Sequence, residues 1–219
     1  MTEPYPFQAL IFDLDGVLID TEPTHLRATE LAFARHGIRV PAGFFDEFVG
    51  RSDRDVAEQA ARRHGDGSAS FEQVLAAKHA IFAELRGEIG PIPGALEFVR
   101  AARPHFGKLA LTTSATRDNQ AFAFERFGLT ELFDVVVTAE DIQRAKPDPE
   151  PYRVTVERLG LPPSRCLVIE DSLNGIVSAR AAGCAAAGIT TSFGAAELAR
   201  AEPEWIVTSF AELAARLGL

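Results

Sequence analysis

The feature that most constrains this chain is a four-residue apolar run, Ala9-Leu10-Ile11-Phe12, that stops at an acidic turn, Asp13-Leu14-Asp15-Gly16. An unbroken apolar run of that length is how a strand covered on both faces reads, and such strands belong to parallel sheets flanked by helices. Similar runs recur at Leu109-Ala110-Leu111-Thr112, Val135-Val136-Val137 and Leu167-Val168-Ile169, with weaker versions at Ala185-Ala186-Ala187 and Trp205-Ile206-Val207. Between them lie helix-period segments, 119–128, 149–160 and 173–183, each closed by a glycine. The alternation predicts an α/β fold, a doubly wound, Rossmann-like parallel sheet.

Residues 21–90 break that rhythm with three helical segments, 24–36, 53–64 and 71–86, and no strand. The expected organisation is a catalytic core of residues 1–20 and 91–219 with an inserted helical cap, residues 21–90. Gly and Pro near 20–23 and 87–93 suit the two joints. A length of 219 residues accommodates one such core and a smaller appendage, not two full domains. The net charge of −9 and the lack of any Lys/Arg cluster argue against a nucleic-acid partner. No apolar stretch is long enough to span a bilayer, and the first residues carry no basic segment before an apolar one, so a soluble, cytoplasmic protein without a membrane partner is expected. Cys166 and Cys184 sit in apolar surroundings and read as buried thiols.

In an open parallel sheet ligands gather at the carboxyl ends of the strands, so the residues directly after each apolar run carry the information. These are Asp13, Asp15 and Gly16 after the first run, Thr113 and Ser114 after the second, and Glu170 and Asp171 after the fourth. Lys146 follows the third at a short remove, just before Pro147. Each signal alone has an ordinary explanation: Asp-X-Asp is common in solvated turns, and Thr113-Ser114 or Glu170-Asp171-Ser172 would serve as helix caps. Together, each at a strand end, they assemble up to four carboxylates, two hydroxyls and an ammonium on one edge. That many carboxylates repel one another unless a cation bridges them, and hard oxygen ligands select Mg²⁺. Such a set suits phosphoryl transfer to Asp13 as nucleophile, with Mg²⁺ and Lys146 neutralising charge. Asp15, two residues on and pointing to the same side of an extended chain, suits the general acid and base. The partner this chemistry implies is a small-molecule phosphate ester.

The segment Phe12-Asp13-Leu14-Asp15-Gly16-Val17-Leu18-Ile19-Asp20-Thr21-Glu22, with Thr113, with Lys146-Pro147-Asp148-Pro149 and with Glu170-Asp171-Ser172-Leu173-Asn174-Gly175, resembles the four motifs of the haloacid dehalogenase superfamily. The likeness covers nearly the whole chain and is to the branch with a helical cap after the first strand, the phosphoglycolate phosphatase and beta-phosphoglucomutase-like group. The resemblance implies that Thr113 binds the transferring phosphoryl group with Ser114 beside it. It also implies that Mg²⁺ is held by the Asp13 side chain, the Asp15 carbonyl and Asp171, with Glu170 a direct or water-mediated ligand. Asp15 disfavours dehalogenation, whose enzymes generally lack an acid at that place.

The same resemblance places substrate choice in the cap. His25 falls where sugar-phosphate members carry a histidine, and Arg51, in Val49-Gly50-Arg51-Ser52, falls in the cap loop that faces the substrate. Lys78 is a third candidate contact. For His25 a histidine that only packs against a helix face is an equally open reading, and for Arg51 and Lys78 the ordinary reading, a solvated cation, is preferred. Two departures bear on activity: Asp53 stands where the mutase has an arginine expected to grip a second phosphate, and Thr29 where it has a tryptophan. Hydrolysis is therefore favoured over a hexose-phosphate mutase, the nearest alternative. A phosphoacceptor signalling domain is a third, disfavoured by the insertion and by Asp15.

Overall fold

The computed structural model describes residues 6–48 and 52–219. In chain order its elements are β1 (Ala9–Phe12), β2 (Ile19–Asp20), α1 (Glu22–Arg35), α2 (Asp53–His64), α3 (Phe71–Leu85), β3 (Gly90–Pro91) and α4 (Ala95–Ala102). There follow β4 (Lys108–Thr112), α5 (Arg117–Phe127), β5 (Val135–Val137), α6 (Glu150–Leu159), β6 (Cys166–Glu170) and α7 (Leu173–Ala181). The chain closes with β7 (Ala185–Ile189), α8 (Ala195–Leu198), β8 (Trp205–Val207) and α9 (Phe210–Leu217). Contacts divide these elements into two units, one that runs to Asp20 and resumes over Gly90–Leu219, and a second, Thr21–Ile89.

The first unit is built on a six-stranded sheet in the order β5-β4-β1-β6-β7-β8, every pairing parallel. The expected doubly wound α/β architecture is thus observed. The chain steps outward from β1 through β4 to β5, then returns to the other side of β1 for β6, β7 and β8, so the strand order reverses between β1 and β6. Register follows from the apolar runs: Phe12 lies opposite Leu111 on one side and Ile169 on the other. The next residue of each strand therefore falls in a single row, Thr112 on β4, Asp13 past β1 and Glu170 on β6.

Burial on both faces explains why β1 has no polar alternation. Ala9 and Ile11 join Ala110, Val168 and Ala186 in one apolar cluster with Tyr152, Val156 and Leu159 of α6 and Ile176 and Ala179 of α7. On the alternate residues the Phe12 ring meets Phe98 of α4 and Phe133 edge-on, and Phe98 meets Phe210 of α9. Each fully buried Leu, Ile or Phe contributes about 1.5–3 kcal/mol relative to an exposed one, which is what holds the register. Helices α4 and α9 and the short antiparallel pair β2–β3 have no counterpart in the sequence-based expectation.

In the second unit α3 packs on both α1 and α2. Phe33, Phe44 and Phe48 form its aromatic centre, with Phe44 and Phe48 ring centroids 4.8 Å apart. Ser52 caps α2 by accepting from the Asp55 amide, and Ser70 with Gln73 forms a capping box on α3. No described helix is long and apolar enough to cross a membrane. Cys166 and Cys184 are free and buried.

Candidate active site

Asp13 is the first residue past β1, and its amide still donates to the Ile169 carbonyl (3.1 Å), so strand pairing carries the side chain to the end of the sheet. The chain then doubles back through Asp15 and Gly16, with the Gly16 amide donating to Ile19 O at 2.8 Å. Gly16 has φ +73°, and a Cβ there would lie 1.9 Å from Asp171 Oδ2. Only glycine lets this turn approach Asp171, the first residue past β6. Thr191 pins the turn from the β7 side by donating its hydroxyl to Gly16 O, and Ser192 hydrogen-bonds Asp171. Asp15 bridges to Ile19 within the turn.

Lys146 comes from the loop between β5 and α6. Its Nζ donates to Asp13 Oδ1 (2.8 Å), Glu170 Oε1 (2.7 Å) and the Thr112 carbonyl (3.1 Å), one group from each strand of the row that the register sets up. The loop is held by Glu150, whose carboxylate accepts from the amides of Gln143 and Arg144, and by Ser178, whose hydroxyl donates to Asp148 O at 2.6 Å.

Glu170 is fully engaged. Oε1 accepts from Lys146 and from the Tyr152 hydroxyl (2.8 Å), and Oε2 accepts from the Asp171 and Ser172 amides and the Ser172 hydroxyl. Ser172 also caps α7, its Oγ accepting from the Gly175 amide at 3.0 Å, so the same side chain serves the helix and Glu170. Gly175 is the second position where a side chain is excluded, because its Cβ would fall 1.8 Å from Glu170 Oε1.

Asp13, Glu170 and Asp171 are all buried and offer carboxylate oxygens within 4.8 Å of one another. Against three carboxylates the site sets one ammonium, Lys146. Burial raises the Asp13 carboxyl well above the usual range despite Lys146, and burial with the neighbouring Glu170 pushes Asp171 up to about 7. Burial also opposes ionisation of Glu170, but Lys146 and the hydrogen-bond donors outweigh it and hold Glu170 below its ordinary value. Lys146, flanked by Asp13 and Glu170, is held above its ordinary value although burial works against it. Fully ionised, the three carboxylates would exceed the ammonium by two charges, and the resistance of Asp13 and Asp171 to ionising without a counter-charge, with their hard oxygen ligands, fits a divalent cation such as Mg²⁺. Asp13 and Asp171 have the ligand capacity for it, whereas both oxygens of Glu170 are already committed to donors.

Thr113 directly follows β4. Its amide donates to Val137 O (3.0 Å) and its Oγ1 accepts from the Ala115 amide (2.9 Å), so its own hydroxyl proton is not used by that bond. The cap of α5 is Thr116, not Thr113 or Ser114, and Ser114 is exposed. His25 and Lys78 lie in the second unit and meet each other: Lys78, 3% exposed, donates to His25 Nδ1 at 2.8 Å and pairs with the Asp53 carboxylate. Lys78 is therefore not a solvated cation. Burial and the adjacent Lys78 lower the His25 pKa to about 4, and its ring stacks on Phe82 at 4.1 Å. Arg51 lies outside the described residues.

Four residues not singled out as site residues from sequence complete the picture: Tyr152, Thr191, Ser192 and Asp53. Asp53 was noted for the cation it replaces, but in the structure it supplies the anion that compensates buried Lys78. Tyr152 left a readable signal, since a tyrosine on an inward helix face needs a partner for its hydroxyl.

A doubly wound sheet with an acid cluster and a lysine where the strand order reverses is the architecture of an α/β enzyme whose site lies at the strand ends. Residues 10–189 match the family model described as haloacid dehalogenase-like hydrolase, and the chain belongs to that family. A validoxylamine A 7'-phosphate phosphatase from Streptomyces hygroscopicus subsp. limoneus is 32% identical over 199 residues, 90% of this chain and 92% of that protein. A phosphorylated carbohydrates phosphatase from Thermotoga maritima is 34% identical over 179 residues, 80% of this chain and 82% of that one. The crystal structure of CbbY from Rhodobacter sphaeroides in complex with phosphate superposes with a TM-score of 0.79 at 29% identity, covering 97% of this chain and 100% of that one.

Proposed function

We propose that this chain is a Mg²⁺-dependent phosphatase that hydrolyses a small phosphomonoester, a sugar phosphate or similar metabolite, through an aspartyl-phosphate on Asp13. The observation that carries the reading is the Asp13 carboxylate at the strand-order reversal, fixed by Lys146 at 2.8 Å with Glu170 and Asp171 beside it. The names of the relatives, a phosphatase of validoxylamine A 7'-phosphate and one of phosphorylated carbohydrates, support the substrate class.

In this mechanism an Asp13 carboxylate oxygen forms a bond to phosphorus as the ester P–O bond breaks, and Asp15 gives its proton to the leaving oxygen. Asp15, now a carboxylate, takes a proton from the water that attacks phosphorus, the Asp13 acyl phosphate bond breaks, and inorganic phosphate leaves. Lys146 orients Asp13 and, with the Thr113 hydroxyl, stabilises the oxygens of the transferring group. The chemistry a Mg²⁺ supplies when held by Asp13, the Asp15 carbonyl and Asp171 is neutralisation of that group's charge. Glu170 acts from behind, through Lys146 and through water. Ser114 is assigned to the phosphate end of the substrate, and selection among substrates to the helical unit, as a cap of residues 21–90, through His25, Arg51 and Lys78.

The experiment is phosphate release from a panel of sugar phosphates, phosphoglycolate and nucleotides, with Mg²⁺ or chelator. Asp13→Asn, near-isosteric and relieved of a costly buried charge, is expected to fold as well as the parent and to release nothing. Full activity in Asp13→Asn would remove the nucleophile assignment. Isomerisation of a sugar phosphate without net phosphate release would turn the reading to a mutase.

A further inference from the structure

We propose that Tyr152 is a positioning residue for phosphoryl transfer, acting through Glu170 to aim the Lys146 ammonium at Asp13; this rests on the phosphatase reading above. The geometry begins with α6. Tyr152, Thr155, Val156 and Leu159 form its buried face at spacings of three and four, and Tyr152, Val156 and Leu159 belong to the apolar cluster on the sheet. Docking that face brings Tyr152, six residues after Lys146, fully buried to the strand-end row, with its hydroxyl donating to Glu170 Oε1 at 2.8 Å.

Tyr152 holds the pair from two directions. Its hydroxyl shares Oε1 with Lys146 Nζ, so the carboxylate cannot rotate toward either donor without losing the other. Its ring lies beneath the ammonium, with Nζ 5.1 Å from the ring centroid, where the electron-rich face attracts the cation. The remaining donors to Glu170 are an amide pair and the Ser172 hydroxyl, all on Oε2, so on Oε1 the phenol is the one partner that Lys146 has to share with. Near-attack geometry is sensitive to small displacements, and one hydrogen bond here sets the lysine that touches the nucleophile.

The experiment uses the full-length protein with Mg²⁺ and p-nitrophenyl phosphate. Tyr152→Phe keeps the ring, its packing and the cation–π contact, and removes only the hydroxyl. The expected result is a kcat about tenfold lower, about 1.4 kcal/mol in the barrier, with KM within twofold of the parent. Tyr152→Leu, which removes the ring as well, is expected to lose more. In a Glu170→Ala background, where the acceptor is gone, Tyr152→Phe is expected to add no further loss, because the hydroxyl acts through that carboxylate. An unchanged kcat in Tyr152→Phe, or the same tenfold loss in both backgrounds, would overturn the assignment. If the parent hydrolyses no ester, the phosphatase reading fails separately, and a crystal structure of Tyr152→Phe decides: Lys146 Nζ displaced from Asp13 Oδ1 supports positioning, and an unmoved 2.8 Å contact refutes it.

Discussion

Gly175→Ala is the sharpest single perturbation of this site. The residue is the third of α7, a helix where alanine is better than glycine by up to about 1 kcal/mol, so helix propensity alone predicts stabilisation. The structure predicts the reverse, because the new Cβ would stand 1.8 Å from Glu170 Oε1, 1.9 Å from Cδ and 2.2 Å from Oε2, against 3.4 Å or more for ordinary contact. No adjustment of that size preserves hydrogen bonds of 2.7–3.2 Å, so the carboxylate must leave Lys146 and Tyr152. Breaking a buried ion pair costs about 3–5 kcal/mol. Less the helix gain, the net loss is about 2–4 kcal/mol, or roughly 5–15 °C in Tm for a chain of this size. Lys146 also loses an anchor, and phosphatase kcat should fall about a hundredfold, the scale for losing one electrostatic contact to the transition state. Calorimetry and phosphate release on Gly175→Ala, Glu170→Ala and the double variant test the reasoning. With Glu170 truncated the clash is gone, so the second alanine should be neutral or stabilising, a reversal of sign. An equal destabilisation in both backgrounds would refute it.

Three further outcomes are expected. Asp15→Ala should slow release from alkyl phosphates more than from p-nitrophenyl phosphate, whose leaving group needs little protonation; equal losses would argue against a general acid. Mg²⁺ at a hundred times its Kd should stabilise the protein by about 2.7 kcal/mol, visible as a higher Tm that Asp171→Asn diminishes, because the folded acid cluster binds it and the unfolded chain does not. His25 has its folded pKa depressed from 6.5 to about 4, so the stability tied to its neutral form is complete above pH 6.5 and lost as pH falls toward 4. The loss is about 2–3 kcal/mol in urea unfolding, and His25→Gln, which cannot titrate, should remove that part of the pH dependence.

The amino-acid sequence by itself determined the α/β class and the strand ends, because a run such as Ala9-Leu10-Ile11-Phe12 has no polar face and must be covered on both sides. With the strands located, the acids and the lysine that follow them were legible as one candidate constellation. Two-turn helices such as α4 and α9 were not, since eight residues are fewer than the window over which helical periodicity becomes distinct. Nor was the division of labour among the acids. Glu170 and Asp171 are neighbours of like charge in the sequence, yet one is saturated with donors and held ionised while the other is pushed up to about 7. Only strand register and helix docking decide that, by setting residues 133 positions apart, Asp13 and Lys146, at 2.8 Å. The same holds for Asp53, whose charge is explained by Lys78 on another helix. Sequence determines which groups are available at strand ends through local periodicity, whereas the partner of each group is a nonlocal outcome of packing, and in a buried site the partner sets the charge and hence the role.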